Sequence, residues 1–312
     1  MWFSTETAPY DGSVTMFQKS ALWLTPLIAA VLIGIAGGAL YVTRPPREVP
    51  ADDPWARMPP PKPHTDHSKL ISGELKTGPD VTRKCLECHP DAAKEVMKTE
   101  HWTWLGDEAV LPDGRVVQIG KRNVINNFCI HALPNIGECS SCHAGYGWED
   151  EHYTFDEETN VDCLVCHDHS NTYAKGEAGH PLPDVDLVAA AKSVGSPTRV
   201  NCGGCHFSGA GGDGVKHGDL DSSLYHPTER IDVHMGRLDF ACVTCHRTEH
   251  HQIAGCSMSV STGKRPRVEC TDCHAERPHN DDRLDGHTRS VACQTCHIPR
   301  MAIDVPTQMY WD

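Results

Sequence analysis

The sequence predicts a mainly α-helical domain with much irregular structure, packed around stacked prosthetic groups and following an N-terminal transmembrane helix. Three observations predict it: an uncharged apolar run near the N-terminus, a shortage of large apolar side chains, and a cysteine–histidine motif that occurs seven times.

The apolar run comes first in the chain. Residues 21–42, ALWLTPLIAAVLIGIAGGALYV, carry no charge over 22 residues, against the roughly 20 needed to span a bilayer as a helix. A cleaved signal peptide has an apolar core of only about 7–15 residues. Length therefore favours an anchor, although Gly37-Gly38-Ala39 offers small residues for cleavage. The flanking charges argue weakly the other way, since Lys19 precedes the run while Arg44 and Arg47 follow it, the reverse of the positive-inside bias. The next segment, 43–63, is rich in proline and reads as a semi-rigid extended spacer. The expected organisation is a cytoplasmic segment 1–20, an anchor 21–42, a linker 43–63 and one cofactor-filled domain over 64–312.

Within that domain an ordinary core is hard to build. The chain has 312 residues, 26 Gly, 22 Pro and only 6% aromatic residues, so something other than side chains must fill the interior. A formal charge of −14 with no basic patch argues against a nucleic-acid partner. Local elements are legible in three places. PDAAKEVMKTEH, 90–101, reads as a helix with Pro90 in its first turn and Asp91 near the positive end of the dipole. AVLPDGRVVQIG, 109–120, reads as a hairpin around Pro-Asp-Gly. DLVAAAKSVG, 186–195, reads as a helix ending at Gly195.

The repeated motif is C-x-x-C-H. It supplies Cys85, Cys88 and His89; Cys139, Cys142 and His143; Cys163, Cys166 and His167; Cys202, Cys205 and His206; Cys242, Cys245 and His246; Cys270, Cys273 and His274; and Cys293, Cys296 and His297. Two thiols at this spacing can add to the two vinyl groups of one haem, and the adjacent histidine then reaches the iron. Zinc ribbons pair two C-x-x-C knuckles and need no histidine after each second cysteine. All seven C-x-x-C pairs carry that histidine, so the reading is seven covalently bound c-type haems. Covalent attachment takes place outside the bacterial cytoplasmic membrane, which places the haem domain in the periplasm or beyond. Successive motifs start 54, 24, 39, 40, 28 and 23 residues apart, too close for separate apolar domains. The haems must stack on one another, which makes the domain an electron wire.

Fourteen further histidines remain as second axial ligands. The leading candidates are His101, His226, His234, His250, His251, His279 and His287, which lie where motifs are dense, with Met235 and Met258 as less favoured rivals. A haem with histidine on both faces transfers electrons but offers substrate no easy position. CGGCHFSGAGGDGVKHGDLD, 202–221, places Lys216 beside His217 in a glycine-rich loop. Lysine ligates iron only as a neutral amine, which needs burial or the metal's own charge. Spacing alone favours a solvated surface charge there.

KCLECHPDAAKEVMKTEHWTWLG at 84–106, NNFCI at 126–130, CSSCHAGYGW at 139–148, VDCLVCHD at 161–168, the 202–221 stretch, CVTCHRTEHH at 242–251 and CQTCHIPR at 293–300 together resemble the octahaem tetrathionate reductase family of multihaem cytochromes c. The resemblance spans about 64–312 and extends beyond the haem motifs. It implies that Lys216 replaces the distal histidine of a catalytic haem, the second, on Cys139, Cys142 and His143. The family has eight haems where seven standard motifs are found here, leaving Cys129 and Cys256 unassigned. A disulfide between them is one reading; a Cys129 thiol facing the catalytic pocket is the other. Family members are longer, so the chain, stopping at MYWD, reads as a fragment or as attaching one haem unusually.

The implied activity is reduction of a small sulfur or nitrogen species: tetrathionate to thiosulfate, or nitrite or hydroxylamine to ammonia. An anionic substrate on an acidic protein requires a locally positive pocket, for which Lys121, Arg122, Lys216 and His217 are the expected residues. His217, Asp213 or Asp219 would supply protons, or the two aspartates would bind calcium. The partners would be the membrane, through the anchor, and a quinol or redox-protein electron donor. The alternative is a non-enzymatic conduit between a quinol-side partner and exported acceptors.

Overall fold

The computed structural model describes residues 16–42, 54–58, 60, 63–123, 135–207, 212–213, 220–255, 267–300 and 303–304. Its helices are α1 (Met16–Val42), α2 (Gly78–Leu86), α3 (Ala92–Val96), α4 (Glu100–Thr103), α5 (Ile136–Cys139), α6 (Leu164–His167), α7 (Leu187–Lys192), α8 (Arg199–His206), α9 (Val233–Leu238), α10 (Cys242–Cys245), α11 (Asp282–His287) and α12 (Gln294–His297). Two short antiparallel hairpins accompany them, β1 (Glu108–Val110) with β2 (Val116–Gln118), and β3 (Thr248–Glu249) with β4 (Gln252–Ile253). The mainly helical, irregular architecture matches the expectation.

The cysteine–histidine motifs create many of these helices. In a single helical turn the residues at i, i+3 and i+4 share one face, so one turn presents both sulfurs and the imidazole together. The backbone closes that turn: the amides of His89, His167, His246, His274 and His297 each donate to the carbonyl of their first cysteine at 2.8–3.1 Å. The second motif departs from the pattern. Its turn is a 3-10 helix, Ser140–Cys142, and the His143 amide donates to Ser140 at 2.8 Å.

Elsewhere, caps fix the boundaries. Thr77 and Asp80 form a reciprocal capping box at the start of α2, with Asp80 accepting the Thr77 amide at 2.8 Å. Asp186 caps α7 by accepting the amides of Val188 and Ala189 at 3.0 and 2.9 Å. The hairpin expected over 109–120 is present, with Glu108 opposite Gln118 and Gly114 at φ +84° in its loop.

One expectation needs correction and another finds no support. The helix expected over 90–101 is split into α3 and α4, because Thr99 is extended (φ −93°, ψ 160°) and its hydroxyl donates to the Val96 carbonyl at 2.7 Å. That local bond competes with the helix ladder. The transmembrane anchor expected over 21–42 falls on α1, a helix 27 residues long. Among the described residues no helix is long and apolar enough to cross a membrane.

Apolar burial is spread over small clusters. Ile71, Val81, Leu164, Leu187, Ala190 and Ala191 join α2, α6 and α7. Ala93, Trp102 and Val161 form a second group, and Trp104, Ile136 and Trp148 a third. The last two flank the second motif.

Candidate functional site

Among the described residues, five motif histidines stand opposite a histidine from outside the motifs. His89 faces His67 at 6.3 Å between ring centroids, His206 faces His101 at 6.0 Å, His167 faces His251 at 6.4 Å, His274 faces His234 at 6.1 Å and His297 faces His279 at 5.7 Å. Two imidazoles on opposite faces of one metal ion stand roughly 6 Å apart by centroid, given metal–nitrogen bonds of about 2 Å on each side. All five pairs fit that separation. The Nε2 atoms of His279 and His297 face each other 3.4 Å apart, somewhat closer than the roughly 4 Å that two such bonds require.

The other ring nitrogens support the fit. A ligating histidine commonly donates its second N–H to a carbonyl or carboxylate, which fixes its tautomer. Nδ1 of His167 is 2.8 Å from the Gly195 carbonyl, and Nδ1 of His246 is 2.9 Å from that of Ala254. Glu95 holds Nδ1 of His251 at 2.7 Å, and Asp285 holds Nδ1 of His279 at 3.2 Å. In each case Nε2 is left to act as the donor. At these five pairs the donor set and its spacing therefore fit haem iron.

The motifs also touch one another out of sequence order. Thiols of the first and third motifs meet at Cys85 and Cys163, those of the fourth and fifth at Cys202 and Cys242, and those of the sixth and seventh at Cys270 and Cys293. The third reaches the fourth through the Asn201 amide, which donates to the Asp168 carbonyl at 2.9 Å. The fifth reaches the sixth where Arg247 lies 3.4 Å from the Cys273 sulfur. The second motif joins this series at the fourth, through Cys142 against Cys205.

Surroundings at the second motif are distinct. Among the described residues, the rings packed on His143 are those of Trp102 and Trp148, both at 4.9 Å, and of Trp104, Tyr153 and Phe155 at 5.9–6.0 Å. His143 is fully buried, and burial pushes its pKa down to about 3, so the imidazole is neutral. Nε2 lies 2.7 Å from the Trp102 carbonyl, while Nδ1 is buried with no hydrogen-bond partner. Two cations border the aromatic group: Lys121 lies 4.6 Å from the Trp104 centroid and Arg122 3.9 Å from that of Phe155. The Cys142 thiol is lowered to about 6, first by its hydrogen bond with Cys205 and then by the charge of Lys121.

A buried ion pair braces the same segment. Lys175 Nζ is 2.8 Å from Asp162 Oδ2 and donates to the carbonyls of His143 and Gly145. Tyr146 and Tyr173 donate their hydroxyls to the two oxygens of Asp162 at 2.8 and 2.9 Å.

The structure thus brings His101, His234, His251 and His279 against motif histidines. No ring contact among the described residues does so for His226, His250 or His287. His250 is exposed, with Nδ1 2.9 Å from Glu95. His67 was not a leading candidate by sequence; its only signal is its place in HTDH, directly after the proline-rich linker. Lys216, His217, Cys129, Cys256, Asp219 and Met258 lie outside the described residues. Asp213 is described and accepts the Ser222 amide at 2.9 Å, and among the described residues no group of acidic or metal-ligating side chains could hold an ion such as calcium.

No family model matches the chain. An uncharacterized protein of Archaeoglobus fulgidus is 24% identical over 251 residues, covering 64% of this chain and 83% of that protein. The crystal structure of an octaheme cytochrome c from Shewanella oneidensis is 48% identical with a TM-score of 0.71, and the match covers 80% of this chain. The chain spans 56% of that protein's length.

Proposed function

We propose that this chain, whose likeness to an octaheme cytochrome c supports a multihaem cytochrome c family, is an exported redox protein carrying haem c on its motifs. In this reading most centres pass electrons and the one at Cys139, Cys142 and His143 reacts. One observation carries the proposal: five motif histidines stand opposite a second histidine, and of the two that do not among the described residues, His246 is exposed whereas His143 is buried among tryptophan, tyrosine and phenylalanine rings. Haem supplies reversible one-electron chemistry at iron; the chain sets which centre is open.

The axial pairs would be His89 with His67, His206 with His101, His167 with His251, His274 with His234, and His297 with His279. Lys216 would be the exchangeable ligand opposite His143, as the family resemblance implies. The contact order of the motifs runs first, third, fourth, fifth, sixth, seventh, with the second attached at the fourth. A reactive centre at the end of a branch can draw electrons from the wire without interrupting it. Lys121 and Arg122 would attract a small anion, and the apolar ring cluster strengthens that attraction by lowering the local dielectric.

The substrate class is a small sulfur or nitrogen oxidant: tetrathionate, whose central S–S bond takes two electrons to give two thiosulfates, or nitrite or hydroxylamine. The test is anaerobic turnover of each by the haem-loaded protein with reduced viologen as donor. Lys216→Leu should lower kcat/KM by at least ~10-fold while electron uptake by the other centres continues. If no substrate is turned over and the variant behaves as the parent, the protein is an electron conduit instead.

A further inference from the structure

The pairing of rings leaves two carboxylates unexplained. Glu95, on α3, holds His250 and His251 together, with Oε1 2.9 Å from Nδ1 of His250 and Oε2 2.7 Å from Nδ1 of His251. The two histidines form the two-residue turn of the β3–β4 hairpin, since Glu249 pairs with Gln252. Both have positive φ, 47° and 60°, in positions that normally take glycine or asparagine. The Gln252 side chain also donates to the Glu95 carbonyl at 3.3 Å. A turn this unfavourable for its residues persists only where its surroundings impose it, and what imposes it here is the Glu95 clasp. The second carboxylate, Asp285 on α11, is 5% exposed. Its Oδ1 receives both Nδ1 and the backbone amide of His279 at 3.2 and 3.0 Å.

We infer that Glu95 and Asp285 are positioning residues that set the potentials of the third- and seventh-motif centres, by fixing Nδ1 of His251 and His279 and strengthening each ring as a donor to iron. A carboxylate behind a ligating histidine raises the ligand's basicity, which stabilises the oxidised over the reduced centre. The two carboxylates differ in strength. Glu95 Oε2 serves His251 alone, whereas Asp285 Oδ1 is shared and the carboxylate lies 3.7 Å from Arg277 Nε. This inference rests on the axial pairing proposed above.

The test is a spectropotentiometric titration of the haem-loaded chain and of Glu95→Gln, Asp285→Asn and Glu249→Gln. Gln and Asn keep an acceptor oxygen, so the hairpin and α11 keep their contacts while the charge is lost. Glu249→Gln removes the same charge from an exposed position on the same hairpin. Glu95→Gln should raise the reduced-to-oxidised ratio of one centre about tenfold at fixed potential, ~59 mV for one electron. Asp285→Asn should move a different centre by less, and Glu249→Gln should leave the Glu95-sensitive centre nearly in place. Unmoved midpoints in both carboxylate variants would overturn the inference, as would an equal shift from Glu249→Gln. Absence of bis-histidine signals in the parent would instead bring down the pairing itself; normal bis-histidine signals with unmoved midpoints would sink only the role of the carboxylates.

Discussion

Gly145 sits where a side chain has no room. A Cβ there would lie 2.5 Å from the Trp102 ring, 2.7 Å from the His143 ring and 2.9 Å from the Asn160 carbonyl, all in the wall of the second-motif site. Gly145→Ala should destabilise the protein by about 1–3 kcal/mol, the usual cost of overpacking, read as a lower denaturant midpoint. Lys175 has a larger effect to lose. It and Asp162 are 5% and 0% exposed at their side chains, so Lys175→Met strands a buried carboxylate that keeps only neutral donors, the Tyr146 and Tyr173 hydroxyls and the Val165 amide, at a cost of about 3–5 kcal/mol. The same denaturation experiment checks it, and equal stability of variant and parent would contradict the account of the brace. At this scale the motif cysteines and histidines were legible because their spacing is chemistry in itself. Lys121 and Arg122 were also singled out, as charges an acidic chain would need. The Lys175–Asp162 pair was not, because nothing in a sequence marks two charges that meet only after folding. Glu95 and Asp285 escaped for the same reason.

Short elements follow from local rules with few surprises. One C-x-x-C-H motif needs one turn, and the amide-to-carbonyl bonds of five motifs close one. The α2 helix starts where Thr77 and Asp80 cap each other; Thr77→Ala should cost about 1 kcal/mol. Asp80's carboxyl is held below the ordinary aspartate range, first by the Thr77 hydroxyl and also by Arg83. A depressed folded-state value means that the cap contributes above the unfolded pKa and fades as the medium falls below about pH 4. Urea midpoints for Thr77→Ala and its parent should therefore converge in acid and separate at neutral pH. The split between α3 and α4 was not legible, since 90–101 has good helical residues throughout and only the Thr99–Val96 bond interrupts them. The His250–His251 turn defeated propensity for a different reason, being fixed by a glutamate 155 positions away.

Across the whole molecule, the arrangement that matters is out of sequence order. His251 follows the fifth motif yet faces the third, and His234 precedes the fifth yet faces the sixth. Motif counting predicts that haems pack closely, but it carries no information on which segment crosses to which motif, so the pairing had to come from the fold. His67 illustrates the limit: it lies 22 positions before His89, outside the dense region where partners were sought, and reaches it because the chain folds back over α2. The sparse apolar clusters agree with the low aromatic content, and where 22 uncharged residues suggest an anchor, no helix among the described residues is long and apolar enough to cross a membrane. The central claim is that one centre differs in kind from its neighbours. Near-infrared magnetic circular dichroism of the oxidised, haem-loaded protein, with Lys216→Leu beside it, tests this most directly. The account predicts predominant bis-histidine bands plus one histidine–amine band that the variant loses or converts to high spin. A spectrum of bis-histidine centres alone, unchanged in Lys216→Leu, would contradict it.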